Sequence, residues 1–257
     1  MYRYIIAIII LIYIWSFFIE PNLLKIKKYK AKNLDGQKIV FVSDFHIAKR
    51  DKHRLRRIVN KINKLNPDIV LSCGDFIKGH TGKTTMPIEE QAEELAKINA
   101  PIITVLGNHD TWFDKYTIKT VLEKHGITVL NNTSTKFKNI YIAGVEDLQT
   151  SMPNVQAALE NTASPRILLT HTPDIYYDIK EDVDLILAGH VHGGQVRMPF
   201  KGALICPSKF GTKFCEGDFQ ETGNRMIVTR GLGTSILTIR FNSIPEIVLI
   251  EEDANLN

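Results

Sequence analysis

Short apolar runs, rich in β-branched residues, recur through this chain of 257 residues from residue 38 onward. Each run has the length and apolar character expected of a strand in a sheet covered on both faces. Amphipathic stretches separate the runs and predict helices at 51–65, where Asp51 is placed to cap the start, at 88–99 and at 115–125. The predicted strands are KIVFVSD, DIVLSCGD, PIITVLGNHD, ITVLNN, IYIAGVED, RILLTHTP, VDLILAGH, RMIVTRG and EIVLI. This alternation predicts one layered α/β domain over residues 38–257.

An uncharged apolar segment, YIIAIIILIYIWSFFI, precedes this domain at residues 4–19. As a helix it would span roughly 24 Å, and the flanking residues extend it toward the bilayer core thickness of about 30 Å. A cleaved signal peptide is the alternative, but no small-residue cleavage site follows the apolar run. We therefore predict an uncleaved transmembrane helix as a membrane anchor at residues 1–21.

Basic residues are concentrated behind the anchor. Residues 20–65 carry fourteen Lys and Arg against four Asp and Glu, whereas the whole chain has a net charge of only +4. We interpret residues 22–37 as a basic linker, and its lysines favour a cytoplasmic catalytic body at the cell inner membrane. The lysines would also attract an anionic membrane surface. We expect no nucleic-acid partner, because the basic helix at 51–65 lacks aromatic residues for base stacking.

The three cysteines have no CxxC spacing and indicate neither a disulfide framework nor a zinc-thiolate site. Cys73 ends an apolar run and is predicted to be a core residue. Cys206 and Cys215 could pair, and the sequence leaves this open.

Carboxylate, imidazole and amide side chains follow five of the predicted strands. In parallel α/β sheets such strand ends collect ligands, so we expect these residues to meet at one edge. They are Asp44 and His46 in SDFH, Asp75 in CGD, Asn108, His109 and Asp110 in GNHD, His171 in THTP, and His190 and His192 in GHVHGGQ. The other three histidines, His53, His80 and His125, are predicted to lie at the surface.

Oxygen and imidazole ligands without thiolates suit manganese, iron, zinc or magnesium. Seven such groups exceed what a single metal in an open catalytic site requires, whereas two metals that share a bridging carboxylate would use them all. The composition of the motifs therefore predicts two divalent cations, with manganese the expected metal.

The ordered set D-x-H, G-D, G-N-H-D, H and G-H-x-H strongly resembles the calcineurin-like metallophosphoesterase superfamily. The extended stretches GHVHGGQVRMP and GLGTSILTIRFNSIPEI are similar to its bacterial membrane-associated phosphodiesterase branch, which includes UDP-2,3-diacylglucosamine pyrophosphatases. The resemblance implies a four-layer αββα sandwich. It also implies one metal held by Asp44, His46 and His192, and a second held by Asn108, His171 and His190, with Asp75 bridging. By the same resemblance, His109 would bind phosphate and assist the leaving group, and Asp110 would orient His109 through a hydrogen bond.

These residues predict hydrolysis of a phosphodiester or pyrophosphate bond by a water that the metals activate. The anchor favours a membrane-associated substrate such as a UDP-linked lipid, and Val196, Met198 and Phe200 could form an apolar contact for its chain. A general membrane-associated phosphodiesterase or phosphatase is the alternative, and a non-catalytic scaffold of the same fold is a third hypothesis. Gln195 has no assigned role.

Overall fold

The computed structural model describes residues 2–253, and within them five α-helices and fourteen strands. The helices are α1 (Tyr2–Ile14), α2 (Lys52–Leu65), α3 (Ile88–Leu95), α4 (Asn108–Lys124) and α5 (Val155–Leu159). The first seven strands are β1 (Lys25–Ala31), β2 (Ile39–Val42), β3 (Ile69–Ser72), β4 (Ile102–Thr104), β5 (Thr128–Val129), β6 (Thr133–Phe137) and β7 (Ile140–Gly144). The last seven are β8 (Arg166–Thr170), β9 (Leu185–Ala188), β10 (Arg197–Met198), β11 (Gly202–Ala203), β12 (Gly217–Phe219), β13 (Met226–Val228) and β14 (Glu246–Glu252).

The first sheet has six strands in the order β1-β14-β2-β3-β4-β5. Strands β2 to β5 run parallel to one another, because helices α2, α3 and α4 form the crossovers between them. Strand β14 pairs antiparallel to β2, and β1 pairs parallel to β14 at the edge. The first and the last strand of the described chain therefore lie side by side in one sheet.

The second sheet has six strands in the order β12-β13-β9-β8-β7-β6. Its four central strands, β7, β8, β9 and β13, are parallel, and the edge strands β6 and β12 are antiparallel to their neighbours. Strands β10 and β11 form a separate two-stranded ribbon.

The two sheets pack face to face because alternate residues of each strand point to opposite sides. In β2, for example, Ile39 and Phe41 belong to the apolar cluster between the sheets. Val40 and Val42 belong instead to the cluster beneath helices α2, α3 and α4. A third cluster covers the far face of the second sheet with α5, a 3-10 turn at Pro173–Asp178 and irregular chain. The predicted layered α/β fold is confirmed, with a fourth layer that contains little helix.

All nine predicted strands are present, and the helix predicted at 51–65 is α2. Asp51 stands at the N-cap position of α2, but its side chain makes no capping bond and instead accepts from the backbone N–H of Ala48 at 3.3 Å. Helix α3 ends at Leu95, short of the predicted end at residue 99. The helix predicted at 115–125 starts earlier, since α4 begins at Asn108 and bends at Asp114. Lys25–Ala31, within the predicted basic linker, forms strand β1.

The N-terminal helix continues beyond α1 through a π turn and a 3-10 turn to Asn22. Residues Tyr2–Asn22 are long and apolar enough to cross a membrane, judged by length and composition. The end of this segment is attached to the body through Glu20, a carboxylate that is only 1% exposed. Its oxygens accept hydrogen bonds from Trp15 Nε1 at 2.6 Å, from the backbone N–H of Asn242 at 3.0 Å, and from the backbone N–H of Ser243.

Cys73 is buried between the sheets, as predicted. Cys206 and Cys215 are joined as a disulfide within the irregular chain that follows β11.

Candidate metal centre

The predicted site residues lie where strands of both sheets end. Asp44 and His46 follow β2, and Asp75 follows β3. Asn108, His109 and Asp110 form the first turn of α4, just after β4. The second sheet supplies His171 after β8, and His190 and His192 after β9. All nine side chains are buried. The ionised carboxylates among them need nearby partners, because an unpaired charge in the protein interior is costly.

The backbone at this edge adopts a conformation that L-residues rarely use. Asp44, His46, Asp75, His190 and His192 all have positive φ, between 39° and 70°. Such left-handed conformations in non-glycine residues cost on the order of 1–3 kcal/mol each and are concentrated at functional sites. The fold therefore maintains a strained backbone at five of the seven predicted ligands.

Three of the predicted ligands form one half of the centre. His46 Nε2 lies 3.2 Å from His192 Nε2, and His192 Nε2 lies 3.6 Å from Asp44 Oδ1. The ligand atoms of these three side chains all lie within 4.8 Å of one another. This half can therefore enclose one cation.

The other half brings together His171, His190 and Asn108. Asn108 Oδ1 lies 2.9 Å from His171 Nε2 and 3.1 Å from His190 Nδ1. Asp75 stands between the halves, because its Oδ2 is 3.4 Å from both His46 Nε2 and His171 Nε2. The structure thus brings all seven predicted ligands into one cluster with a central carboxylate.

Hydrogen bonds behind the cluster show that a cation fits it. His46 Nδ1 lies 2.7 Å from the carbonyl of Ile77, and His171 Nδ1 lies 2.6 Å from the carbonyl of Cys73. A carbonyl can only accept, so each Nδ1 carries a proton, and Nε2 is the ring atom that can offer a lone pair to a cation at the centre. Backbone partners of this kind orient metal-ligating histidines in proteins. Converging lone pairs and carboxylates of this kind are suited to hold a cation between them.

The pKa values of three of the histidines favour the neutral form of the imidazole ring. Burial lowers the pKa of His46 to about 3 and that of His190 to about 4. Burial also lowers the pKa of His192 well below its usual value. These three rings are therefore neutral and can donate lone pairs.

The pKa values of the two carboxyl groups, Asp44 and Asp75, shift in opposite directions. Burial raises the pKa of Asp44 to about 6. Burial acts in the same direction on Asp75, but the facing histidines, His171 foremost with His46 and His109, together outweigh it and lower the pKa of Asp75. Burial lowers the pKa of His171, and the Asp75 carboxylate more than reverses this shift. Asp75 is thus ionised at neutral pH, as a bridging ligand must be.

Asp110 differs from its predicted role. Its carboxylate accepts from the backbone N–H groups of Asp75 and Phe76 at 2.8 Å, and from those of Ile77 and Gly107 at 3.1 Å. The prediction that Asp110 orients His109 through a hydrogen bond is wrong. Asp110 is the third residue of α4 and accepts from the backbone N–H of the N-cap residue Gly107, so its side chain points back toward β3. It holds the turn that carries Asp75.

His109 is oriented by the backbone instead. Its Nδ1 donates to the carbonyl of Gly79 at 2.9 Å, and its Nε2 lies 3.4 Å from Ser235 Oγ. With His46 and Asp75, His109 also forms a third group whose ligand atoms lie within 4.8 Å of one another. His109 lines the cleft in front of the cluster, where it can reach a substrate.

The cleft has a volume of about 540 Å³. Asp75, Asn108, His109, His190 and His192 are at its base. Apolar side chains line much of the rest, namely Trp112, Val191, Val196, Leu204, Ile205, Ile236, Leu237 and Ile239. An apolar cleft with a few convergent polar groups is typical of a small-molecule binding site.

Sequence reasoning missed several residues around the cleft. His80 is exposed as predicted, yet its ring stacks on Trp112 at 4.4 Å and lies 5.2 Å from the ring of His109. Gln149 Nε2 lies 2.8 Å from His190 Nε2. Gln195, which had no assigned role, accepts from the backbone N–H of Ser235 at 2.8 Å. No spacing pattern marks these residues, since their partners are distant in sequence.

Arg240 was also missed. It is fully buried, and burial lowers the pKa of its guanidinium to about 9. The guanidinium donates to the carbonyls of Ser243 and Arg230 at 2.7 Å, and to the carbonyl of His192 at 3.4 Å. A buried charge fixes the chain behind His192 in this way.

Two mixed sheets with a buried Asp and His cluster at their strand ends define a hydrolase of the metal-binding phosphoesterase class. Residues 37–194 match the calcineurin-like phosphoesterase family, and the chain belongs to this family.

Named relatives cover nearly the whole chain. It is 30% identical to the uncharacterized metallophosphoesterase YkuE of Bacillus subtilis in an alignment of 255 positions that covers 92% of this chain and 88% of YkuE. It is 30% identical to the phosphodiesterase YaeI of Escherichia coli in an alignment of 224 positions that covers 83% of this chain and 81% of YaeI. It is 26% identical to the UDP-2,3-diacylglucosamine pyrophosphatase LpxG of Chlamydia trachomatis in a gapped alignment of 316 positions that covers 96% of this chain and 94% of LpxG.

Proposed function

We propose that this protein hydrolyses a phosphodiester or pyrophosphate bond in a membrane-associated substrate, with two divalent cations as cofactors. The observation that carries the proposal is the buried cluster centred on Asp75, at the base of an apolar cleft. Asp44, His46 and His192 would hold one cation. Asn108, His171 and His190 would hold the other, and Asp75 would contact both.

Two bound cations would neutralise the oxygens of the phosphoryl group and lower the pKa of a water molecule. Manganese is the metal we expect, since oxygen and imidazole ligands without thiolates suit it, although they also suit zinc, iron and magnesium.

His109 supplies the proton for the leaving oxygen in this proposal. Because the Gly79 carbonyl occupies Nδ1, Nε2 is the ring atom that exchanges protons in the cleft. Ser235 Oγ, 3.4 Å from this nitrogen, limits how far the ring can turn. Asp110 acts indirectly, because it accepts backbone hydrogen bonds that hold the turn carrying Asp75.

The relatives' names support a phosphodiester or a pyrophosphate as the scissile group. The apolar wall of the cleft and the apolar N-terminal helix support a lipid as the remainder of the substrate. A UDP-linked lipid similar to UDP-2,3-diacylglucosamine combines both features. We further propose that the helix anchors the protein in the inner membrane with the body in the cytoplasm, because five lysines follow the helix.

The test is a side-by-side assay of the purified full chain on UDP-2,3-diacylglucosamine, a simple phosphodiester and a phosphomonoester. We expect manganese-dependent turnover, a preference of at least about tenfold for the lipid nucleotide, loss of activity on chelation, and its return with manganese. Asp75→Asn should abolish turnover of all three substrates. A preference below tenfold would contradict the lipid nucleotide, and full activity in metal-free protein would contradict the mechanism.

A further inference from the structure

Five large apolar side chains protrude from two loops beside the cleft. Phe200, Leu204 and Ile205 lie on the β10–β11 ribbon and the chain that follows it, and Ile236 and Leu237 lie on the loop before β14. Each is more than half exposed, and Ile236 is 90% exposed. We call these five residues the apolar lip. Contiguous exposed apolar side chains on a folded protein mark a surface that is covered by a partner or by a membrane.

The apolar lip is continuous with the wall of the cleft. Leu204, Ile205, Ile236 and Leu237 line the same cavity as His109 and His192. Ile236 directly follows Ser235, whose Oγ lies 3.4 Å from His109 Nε2. An apolar surface therefore runs from the exposed lip to the predicted catalytic histidine.

The N-terminal apolar helix is docked beside the same loop. The backbone N–H of Arg240 donates to the carbonyl of Ser16 at 3.0 Å, and Glu20 binds the backbone at Asn242 and Ser243. The neighbouring residue, Phe241, pairs with the chain that leads into β10, since the N–H of Arg197 donates to its carbonyl at 2.9 Å. Backbone hydrogen bonds thus connect the end of the helix to both loops of the lip.

The connection between the lip and the apolar helix favours a membrane as the partner that covers the lip. A helix that crosses a bilayer and is docked beside the lip would hold these five side chains near the level where it leaves the bilayer. Lys201, exposed next to Phe200, adds the cation that accompanies aromatic residues at lipid headgroups.

We propose that the apolar lip inserts into the bilayer crossed by the N-terminal helix, and that the cleft behind it takes an acyl chain of a lipid phosphoester. The acyl-chain site rests on the proposed hydrolase function, whereas insertion of the lip rests only on the proposed membrane anchoring of the helix. The lipid would slide from the bilayer along Ile236 and Leu237, so that its phosphoryl group reaches the Asp75 cluster without crossing water.

Insertion is tested with the full chain in phospholipid nanodiscs. An environment-sensitive fluorophore is attached at Ile236→Cys in a background carrying Cys206→Ser and Cys215→Ser, with Met152→Cys as the matched control. Met152 is 83% exposed and does not line the cleft. We expect spin-labelled lipids to quench the fluorophore at position 236 severalfold more than at position 152. Equal quenching at the two positions would overturn insertion, and protection of position 236 only by added protein would indicate a protein partner instead.

The acyl-chain site is tested with p-nitrophenyl alkyl phosphates from ethyl to dodecyl. Each methylene that enters the cleft should raise kcat/KM about fourfold, so four of them give a dodecyl-to-ethyl ratio above roughly a hundred. A paired Ile236→Asp and Leu237→Asp variant should lower this ratio at least about tenfold, and Met152→Asp should not. A wild-type ratio near one would overturn the acyl-chain site. If no ester is hydrolysed, the proposed function fails. The quenching experiment still tests whether the lip inserts into the bilayer.

Discussion

Replacing Gly107 by alanine tests the central position of Asp75 more finely than removing the carboxylate does. Gly107 precedes the first turn of α4 and has an extended backbone with φ of −96°, which alanine can adopt. A Cβ at this position would lie 2.2 Å from Asp75 Oδ1 and 2.7 Å from His171 Cε1. The methyl group therefore collides with two members of the cluster without straining its own backbone.

The size of the effect follows from the geometry. Ordinary van der Waals contact begins at 3.4 Å, so the carboxylate must retreat by about 1.2 Å. The same oxygen accepts the backbone N–H of His109 at 2.9 Å, so its retreat also loosens the first turn of α4. A misplacement of about 1 Å in a catalytic arrangement costs roughly a hundredfold in rate. We expect a loss of about this size in kcat/KM and a higher manganese concentration at half-maximal activity.

The assay is hydrolysis of bis-p-nitrophenyl phosphate by the full chain over a manganese titration. Gly126→Ala is the matched control, because Gly126 has a φ of +80° and a methyl group added there would meet no atom within 4 Å. That substitution should cost about 1–2 kcal/mol of stability through backbone strain and leave kcat/KM within about twofold. Wild-type kcat/KM for Gly107→Ala at the same manganese concentration would refute the reasoning about Asp75.

Three further predictions concern other residues. Glu20→Gln removes one of the two acceptors that attach the N-terminal helix to the body, and should lower the free energy of unfolding by about 2 kcal/mol. This would be seen as a fall of roughly 5 °C in Tm in detergent. An unchanged Tm would contradict the stabilising role of Glu20. His109→Ala should lower kcat about a hundredfold or more while bound manganese, measured by mass spectrometry, stays the same, whereas loss of metal would make His109 a ligand. With the body in the cytoplasm, the Cys206–Cys215 disulfide should be reduced in growing cells; because both side chains are buried, thiols are alkylated in acid-quenched, denatured cells, and a disulfide that survives there would place the body outside.

The fold was predictable because its central strands have local signals. The runs at 39–42, 69–72 and 185–188 are apolar on both faces, which indicates buried strands without any knowledge of their neighbours. The grouping of the polar strand ends followed from the topology of parallel sheets. The roles of the individual ligands stay predictions.

What the sequence could not predict depends on contacts between distant segments. Strand β1 is rich in lysine and becomes a strand only because β14 lies beside it. The error over Asp110 arose because a helix cap, not its neighbour His109, determines where its side chain points. The apolar lip joins loops more than thirty residues apart, and neither loop has a periodic pattern.

The pairing of β1 with β14 also has a consequence for synthesis. Strand β1 leaves the ribosome directly behind the apolar helix, and its pairing partners begin at Glu246. At about 5–20 residues per second, β1 remains without its partner for roughly 10 to 40 seconds of synthesis. Unpaired strands invite aggregation, and lysines are the residues that natural edge strands use against it. The lysines of β1 would therefore limit aggregation of the unpaired strand until β14 has been synthesised.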